Sequence, residues 1–498
     1  MTDFENSSRS PTELLATLRQ LRSTVAAQGA ERVGRWSAHI DRRAGCLSAT
    51  NMADYLALRS VDLRPLQPLL SRFGISSLGR AEGRVLANLD AVIAALEAIC
   101  GAPDMRHFPR EQRLLRGVRM LHHNSEQVFG AEPVERSVRV MVTYPSEAAQ
   151  DYDFVRDLVV RGMDCARINC AHDDATQWGA MISYTHQAAA EVGRNVKILM
   201  DLGGPKVRTQ EVTLHKKRLF TGDALLLRRD APSKDSRYVN QVRCSLPEVI
   251  DQLAVGQAVW MDDGKIGAVI TQIEDEGALL RITHVEDEGA RLRDEKGLNF
   301  PDTLLNLSPL TPDDLSALDF VVHHADMIGY SFVQNPDDID LLQREMAARR
   351  ADWQRVAIIA KIETRRAIHN LPDLIVRAMG KQPFGVMIAR GDLAVEVGYQ
   401  RMAEIQEQIL WLCEAAHVPV IWATQVMESF VKKGTPSRGE MTDAAMSARA
   451  ECVMLNKGPH VGEAISILND LLSRMQGHQL KKTPQLRQLK VWADVLRD

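Results

Sequence analysis

An α/β fold, a (β/α)8 TIM barrel with an inserted small β-barrel lid domain and an α-helical N-terminal region, is predicted by three observations. Eight short apolar runs alternate with helical stretches after residue 136. One interval between such runs is far too long and is full of strand patterns. The first 135 residues show helical periodicity and no strand pattern. At 498 residues the chain is too long for one ordinary domain. The expected division is 1–135 for the helical region, 136–208 with 294–475 for the barrel, 209–293 for the insertion and 476–498 for a tail.

The helical region opens on "SPTELLATLRQLRSTV". Ser10 caps, Pro11 takes the first helical position, and Glu13 completes a capping box. Leu14, Leu15, Leu18 and Leu21 follow at helical spacing. Further on, a short helix, a turn at Gly74 and a long helix capped by Ser76 or Ser77 are expected. The apolar faces of this region suit either of two roles. It is a separable regulatory segment whose deletion leaves the barrel folded, or it is packed structure.

The eight runs are "VRVMVT", "DCARINC", "VKILMD", "ADMIGYSF", "VAIIAKIE", "FGVMIAR", "VPVIWAT" and "CVMLNK". Each is short and mostly apolar, as a parallel strand covered on both faces must be. "PDDIDLLQREMAARR" and "YQRMAEIQEQILWLCEAA" are typical of the helices between them. In the long interval, "ALLLRR", "AVWMDD", "IGAVIT" and "ALLRITHV" are broken by "TGD", "VGQ" and "DDGK" and predict the inserted β domain. The helix after it starts at Thr311, Pro312 and Asp314.

Composition narrows the function. Hydrophobic residues make 45% and charged residues 25% of the chain, ordinary for a globular enzyme. With 61 basic against 65 acidic residues, net −4, a nucleic-acid partner is not expected. The seven cysteines form no Cys-x-x-Cys pair, which suggests neither zinc nor a disulfide framework. A reduced, cytoplasmic setting follows, with no membrane span and no signal sequence expected.

The strand ends carry the chemistry. A barrel of this kind works at the C-terminal ends of its strands. Here those ends hold Arg167 and Asn169, Asp201, Ser331, Lys361 and Glu363, Arg390 and Asp392, Thr424, and Asn456 with Lys457. One polar strand end is a solvated terminus; most of eight, converging on one mouth, predict a site into which Arg390 and Asp392 open. Glu363 and Asp392, on adjacent strands, suit Mg²⁺ or Mn²⁺, which takes one or two protein carboxylates. Lys361 lies two residues before Glu363 and points to the same face. It suits negative charge developing on a substrate, the alternative being a plain ion pair with Glu363. Arg167 forks onto a phosphate, or pairs with Asp201 on the next strand.

The segments "ARINCAH", "MDLGGPKVR", "VWMDDGKIG", "EKGLNFPD", "GYSFVQN", "IIAKIE", "MIARGDLAVEVG" and "WATQVMESF" resemble, in order and spacing, those of the pyruvate kinases. The resemblance covers roughly residues 137–475. It implies transfer of phosphate from phosphoenolpyruvate to ADP, giving pyruvate and ATP in a glycolytic reaction, in a cytoplasmic homo-oligomer. It implies Mg²⁺ on Glu363 and Asp392, Lys361 and Arg167 on the transferring phosphate, and Thr424 near the face where the enolate is protonated. Gly391 and Asp392 would hold the substrate carboxylate through their N–H groups. Asn169, His172, Arg208 and Lys296 would face the nucleotide.

Departures from the family pattern are equally informative. Tyr144 enters the first strand's turn, and "NKGPHVGEA" replaces a Ser-Gly-Glu-Thr after the eighth strand. The usual C-terminal effector domain is not expected, nor a response to the sugar phosphates that act there. Where many relatives bind K⁺, the matching places hold Asn169, Ala171, Asp201 and Leu202, and Lys206 stands for a Glu. Two oxygen ligands are gone and an ammonium is added, so K⁺ is not expected to be required. A branch of the family independent of K⁺ has the same Leu and Lys pairing. Two rival readings are an aldolase-type lyase on another keto-acid and a non-catalytic regulatory homologue. The lid with Lys296 disfavours the first, and the set Lys361, Glu363, Asp392 and Thr424 disfavours the second.

Overall fold

The computed structural model describes residues 10–102 and 106–485. The start of the chain before Ser10 and the tail after Gln485 lie outside the described residues. Eight parallel strands close a barrel: β1 (Arg139–Thr143), β2 (Cys165–Asn169), β3 (Lys197–Asp201), β4 (Met327–Tyr330), β5 (Ala357–Ile362), β6 (Phe384–Ala389), β7 (Val420–Ala423) and β8 (Cys452–Leu455). β1 closes on β8 with Arg139 opposite Cys452 and Val142 opposite Leu455. All eight coincide with the apolar runs, because a strand buried on both faces leaves an unbroken apolar signature.

The insertion is a seven-stranded sheet from Thr209–Thr213 to Leu298–Asn299, with its own apolar core around Leu225, Val259 and Leu280. Its two edge strands meet at one bridge, Arg208 to Gly297, flanked by Thr209 N–H to Lys296 O at 2.8 Å and Leu298 N–H to Val207 O at 2.8 Å. The sheet therefore nearly closes into a barrel. The four expected strands are present, and three more, Thr209–Thr213, Gln241–Cys244 and Leu298–Asn299, gave no pattern. They are short or half-exposed; in Thr209–Thr213 only Thr209 is buried.

Among the described residues five α-helices precede the barrel: α1 (Pro11–Trp36), α2 (Arg43–Arg59), α3 (Gln67–Arg72), α4 (Val85–Ile99) and α5 (Glu111–Phe129). The capping box of Ser10 and Glu13 forms, and Leu14, Leu15, Leu18 and Leu21 are buried. The expected cap of α4 does not form. The Ser76 hydroxyl accepts from Leu78 N–H in a local turn, and α4 begins nine residues after Ser76. Asn51 of α2 caps it from outside, its Oδ1 accepting from Val85 N–H at 3.0 Å. A cap supplied by another helix has no sequence signal.

These helices are packed structure. Val128 and Phe129, at the end of α5, enter the barrel floor among Met141, Leu199, Ile359, Met387 and Ile421. Trp36 donates to Asp373 at 2.7 Å, and Asn51 to the Ala415 carbonyl at 2.8 Å. Removing residues 1–135 would open the floor to water, so the expectation that the barrel stands without them is corrected. Buried His417 joins both parts. One ring nitrogen meets Ser48 Oγ at 3.0 Å, the other the Gly83 carbonyl at 3.2 Å, and its own carbonyl accepts from Asn124.

Burial pushes the His417 imidazole down to about 4. Its folded-state value lies below its unfolded one, so the stability tied to the neutral ring is complete above 6.5. That stability is lost as pH falls from 6.5 to 4, a swing of about 3 kcal/mol. His417→Gln is expected to destabilise the protein at pH 7 and to cost progressively less toward pH 4.5. Urea unfolding of both proteins at the two pH values checks this; a gap that stays constant contradicts a buried neutral ring.

Candidate active site

At the C-terminal ends of the strands lies a cavity of about 270 Å³. Arg167, Asn169, Lys206, Arg208, Lys361, Glu363, Gly391, Asp392 and Thr424 all line it. Strand register explains the convergence. Asn169 stands opposite Asp201 in the β2–β3 pair, and Lys361 opposite Met387 in the β5–β6 pair. Residues two apart on a strand share a face. Lys361 Nζ accordingly lies 3.3 Å from Glu363 Oε1, and also 3.4 Å from Asp201 Oδ2 and 2.6 Å from Ser331 Oγ.

Arg167 does pair with Asp201: its Nε donates to Oδ2 at 2.9 Å, while Nη1 donates to Thr143 Oγ1 at 3.0 Å. The buried Asp201 Oδ1 keeps no hydrogen-bond partner. Gly329 makes this packing possible, because a Cβ there would lie 2.3 Å from that oxygen. Within the mouth, Arg167, Lys206 and Lys361 thus form ion pairs with Asp201, Glu363 and Asp392.

The two candidate metal carboxylates are driven apart. Burial pushes the Glu363 carboxyl above its ordinary value, Lys361 opposes this, and the nearby Asp392 charge reinforces it. Burial also works against Asp392, but the Lys206 charge and hydrogen bonds hold its carboxyl below the usual value, with help from Asn299. Lys206 Nζ lies 2.9 Å and 3.0 Å from the two Asp392 oxygens, and Asn299 Nδ2 lies 3.3 Å from Oδ1. For Lys361, burial disfavours the charge, yet Asp201 and Glu363 outweigh it and raise the ammonium above its ordinary value.

Arg390 is not in the mouth, contrary to expectation. Helix Arg390–Val397 begins at once after β6. At about 100° per residue, positions 390 and 392 point to nearly opposite sides. Arg390 forks onto Asp443, lies over the Trp422 ring at 4.7 Å, and donates to the carbonyls of Ala423 at 2.9 Å and Thr424 at 2.6 Å. Thr424 and Gln425 have φ of 68° and 58°, a conformation a β-branched threonine rarely takes. Arg390 therefore holds a strained turn that presents Thr424. Gly391 packs closely beside it: a Cβ there would lie 3.0 Å from Thr424 Cγ2 and would press on the threonine.

The residues expected at the nucleotide end are less closely gathered. His172 lines an adjoining cavity of about 380 Å³, which shares Arg167, Asn169 and Asn456 with the mouth. Lys457 and Tyr144 line that second cavity. The Tyr144 ring is buried, its hydroxyl 2.9 Å from Thr185 Oγ1, so it packs against the helix behind the strand. Arg208 donates to the Glu295 carbonyl at 3.1 Å. Lys296 lines neither cavity; its Nζ sits 3.0 Å from Asp262 Oδ1.

Asn299, Glu428 and Asp263 also border the mouth or its carboxylates and were not anticipated. Asp263 stands in a turn where residues 262–264 all have positive φ, and its carbonyl accepts from Tyr399 at 3.4 Å. The "DDGK" break marked that turn, but nothing in it told which way the turn would point.

With this geometry in view, comparison with known proteins is informative. The barrel domain of pyruvate kinase, as a family pattern, matches residues 135–463. A pyruvate kinase of Bacillus licheniformis is 29% identical over 356 residues, covering 68% of this chain and 57% of the relative. One from Geobacillus stearothermophilus is 28% identical, covering 69% and 57%. Pyruvate kinase 2 of Trypanosoma brucei brucei is 28% identical, covering 70% and 69%. The chain thus spans under two thirds of the length of the two bacterial relatives. The family match runs through the barrel and the inserted sheet, over more than half of the chain, and the chain belongs to the pyruvate kinase family.

Proposed function

We propose that the chain moves the phosphoryl group of phosphoenolpyruvate to ADP, with Mg²⁺ and without a need for K⁺. The observation that carries this reading is the ion-paired set of Arg167, Lys206 and Lys361 with Asp201, Glu363 and Asp392 at one polar cavity, with Lys361 held between Ser331, Asp201 and Glu363. Phosphoryl transfer asks little covalent chemistry of the protein; it asks for positioning and for charge aimed at the moving group.

The donor set fits a hard divalent ion. Glu363 and Asp392 are two carboxylates close enough for one to raise the other. Among the described residues no group of three or more His, Cys, Asp or Glu is placed to hold a metal ion, so on this pair of carboxylates water and substrate oxygens would have to complete the coordination. Glu363 and Asp392 would hold Mg²⁺, and when bound it supplies a Lewis-acidic centre for substrate oxygens.

Each residue then has a task. Lys361 is charged and immobile, suited to stabilise the phosphoryl group in transfer and the enolate left behind. Arg167 would turn its fork from Asp201 to the phosphate. Gly391 and Asp392 lie in the first turn of helix Arg390–Val397, where N–H groups lack intrahelical acceptors and suit a carboxylate. Thr424, presented by its strained turn, would border the enolate face. Asn169, His172 and Arg208 would line the nucleotide end. Lys296 would join them only by leaving Asp262.

The test is pyruvate release from phosphoenolpyruvate by the purified chain with Mg²⁺, followed by a coupled dehydrogenase. Pyruvate formation that requires ADP is expected. Pyruvate released from a hydroxy keto-acid with no nucleotide would favour the lyase reading instead.

A further inference from the structure

A third cavity, of about 290 Å³, lies at the opposite end of the barrel. Arg139 there begins β1, and Glu451 directly precedes β8. Its other walls are the N-terminal helices and the hairpin Gln479–Pro484. It shares no residue with the mouth cavity.

Its charges do not balance. Arg139 is 2% exposed, yet its guanidinium meets only the carbonyls of Ser137 at 3.0 Å and Gly130 at 2.9 Å. Its Nε is buried with no hydrogen-bond partner. Arg84 repeats the pattern: Nη1 donates to the Leu114 carbonyl at 3.2 Å, and Nε is buried and unpartnered. Among the described residues no carboxylate forms an ion pair with Arg139, Arg84 or the exposed Arg80 at the rim. The acids nearby are otherwise engaged. Glu451 takes Lys481 and Val420 N–H, and Glu132 takes His122. Burial pushes the Glu414 carboxyl up to about 7, so it offers less than a full charge.

A buried guanidinium with no counter-charge is costly unless a ligand supplies one. Leu114, Val118 and Leu480 give the wall an apolar part, and the Arg449 guanidinium beside them is already paired with Glu407. We propose that this seam is a binding site for a small phosphate monoester carrying an apolar group. A phosphate monoester brings close to two negative charges and the acceptor geometry a guanidinium fork prefers. A carboxylate brings one charge against the three guanidiniums that have no ion pair. Bound there, such a ligand would tie the N-terminal helices, the barrel floor and the hairpin together, independently of the chemistry at the mouth.

The probe is phenyl phosphate, titrated calorimetrically into the full chain and followed by thermal melting, with benzoate as the comparison. Phenyl phosphate is expected to bind and to raise Tm, and benzoate to bind more weakly. Arg80→Glu, on the exposed rim, and Arg84→Gln should each weaken binding about tenfold or more, about 1.4 kcal/mol. Val118→Trp, at a half-exposed position, should fill the cavity and abolish binding while the free protein melts as before. Arg167→Gln, at the mouth, should leave this binding in place. The proposal is overturned if Arg80→Glu and Val118→Trp bind as wild type does, if Arg167→Gln alone abolishes binding, if benzoate binds as tightly, or if millimolar phenyl phosphate gives neither heat nor a Tm shift.

Discussion

Asp392→Asn is expected to lower turnover by about a thousandfold, about 4 kcal/mol, with little change in melting temperature. The substitution keeps the shape of the side chain and removes its charge. Asp392 is the carboxylate the fold keeps ionised, with Lys206 and Asn299 on its oxygens and burial opposing it. Its partner Glu363 is pushed the other way. Losing the ionised member therefore removes the anchor for a divalent ion. Folding should survive, because Lys206 keeps part of its exposure and can turn toward water. Steady-state rates and a melt of the same sample check both halves. Unchanged turnover would remove Asp392 from the site.

Lys206→Glu is expected to lower turnover about a hundredfold or more, the next largest effect. The reversal sets a carboxylate against Asp392, where an ammonium now lies 2.9 Å away. Lys206 supplies a fixed positive charge at the mouth with no binding equilibrium. Leu202 and Ala171 offer no side-chain oxygen, and Asn169 Oδ1 already accepts from Ala171 N–H at 3.2 Å. Wild-type activity in buffer free of K⁺ and Na⁺ should lie within about threefold of that in K⁺, and K⁺ should rescue the variant only in part. A rise of about tenfold or more on adding K⁺ to wild type would mean that some other cation site is being filled.

The residues show why much of this was readable in advance. A strand buried on both faces and ending in a charge leaves an unmistakable trace, so all eight barrel strands and the cluster of Lys361, Glu363 and Asp392 were legible. Direction was not. Arg390 and Asp392 look alike at the end of one run, and only the immediate start of a helix sends them apart. Contacts between distant elements were hidden too. Lys206 on Asp392 joins residues 186 apart, and the caps and carbonyl contacts of Asn51 depend on how helices pack. Lys296 was read from family position alone, and the structure gives its charge to Asp262. The three unforeseen strands of the inserted sheet are too short or too exposed to show a period.

The central claim is that the phosphoryl group passes from phosphoenolpyruvate to ADP at this barrel mouth. Phosphorus NMR of the full chain with phosphoenolpyruvate, ADP and Mg²⁺ follows that group directly. The account predicts that the phosphoenolpyruvate signal is replaced by the γ-phosphate of ATP, one for one, and that Asp392→Asn slows this by the same factor as turnover. Phosphate appearing as the inorganic ion, or a phosphoenolpyruvate signal that persists with ADP and Mg²⁺ present, would contradict it.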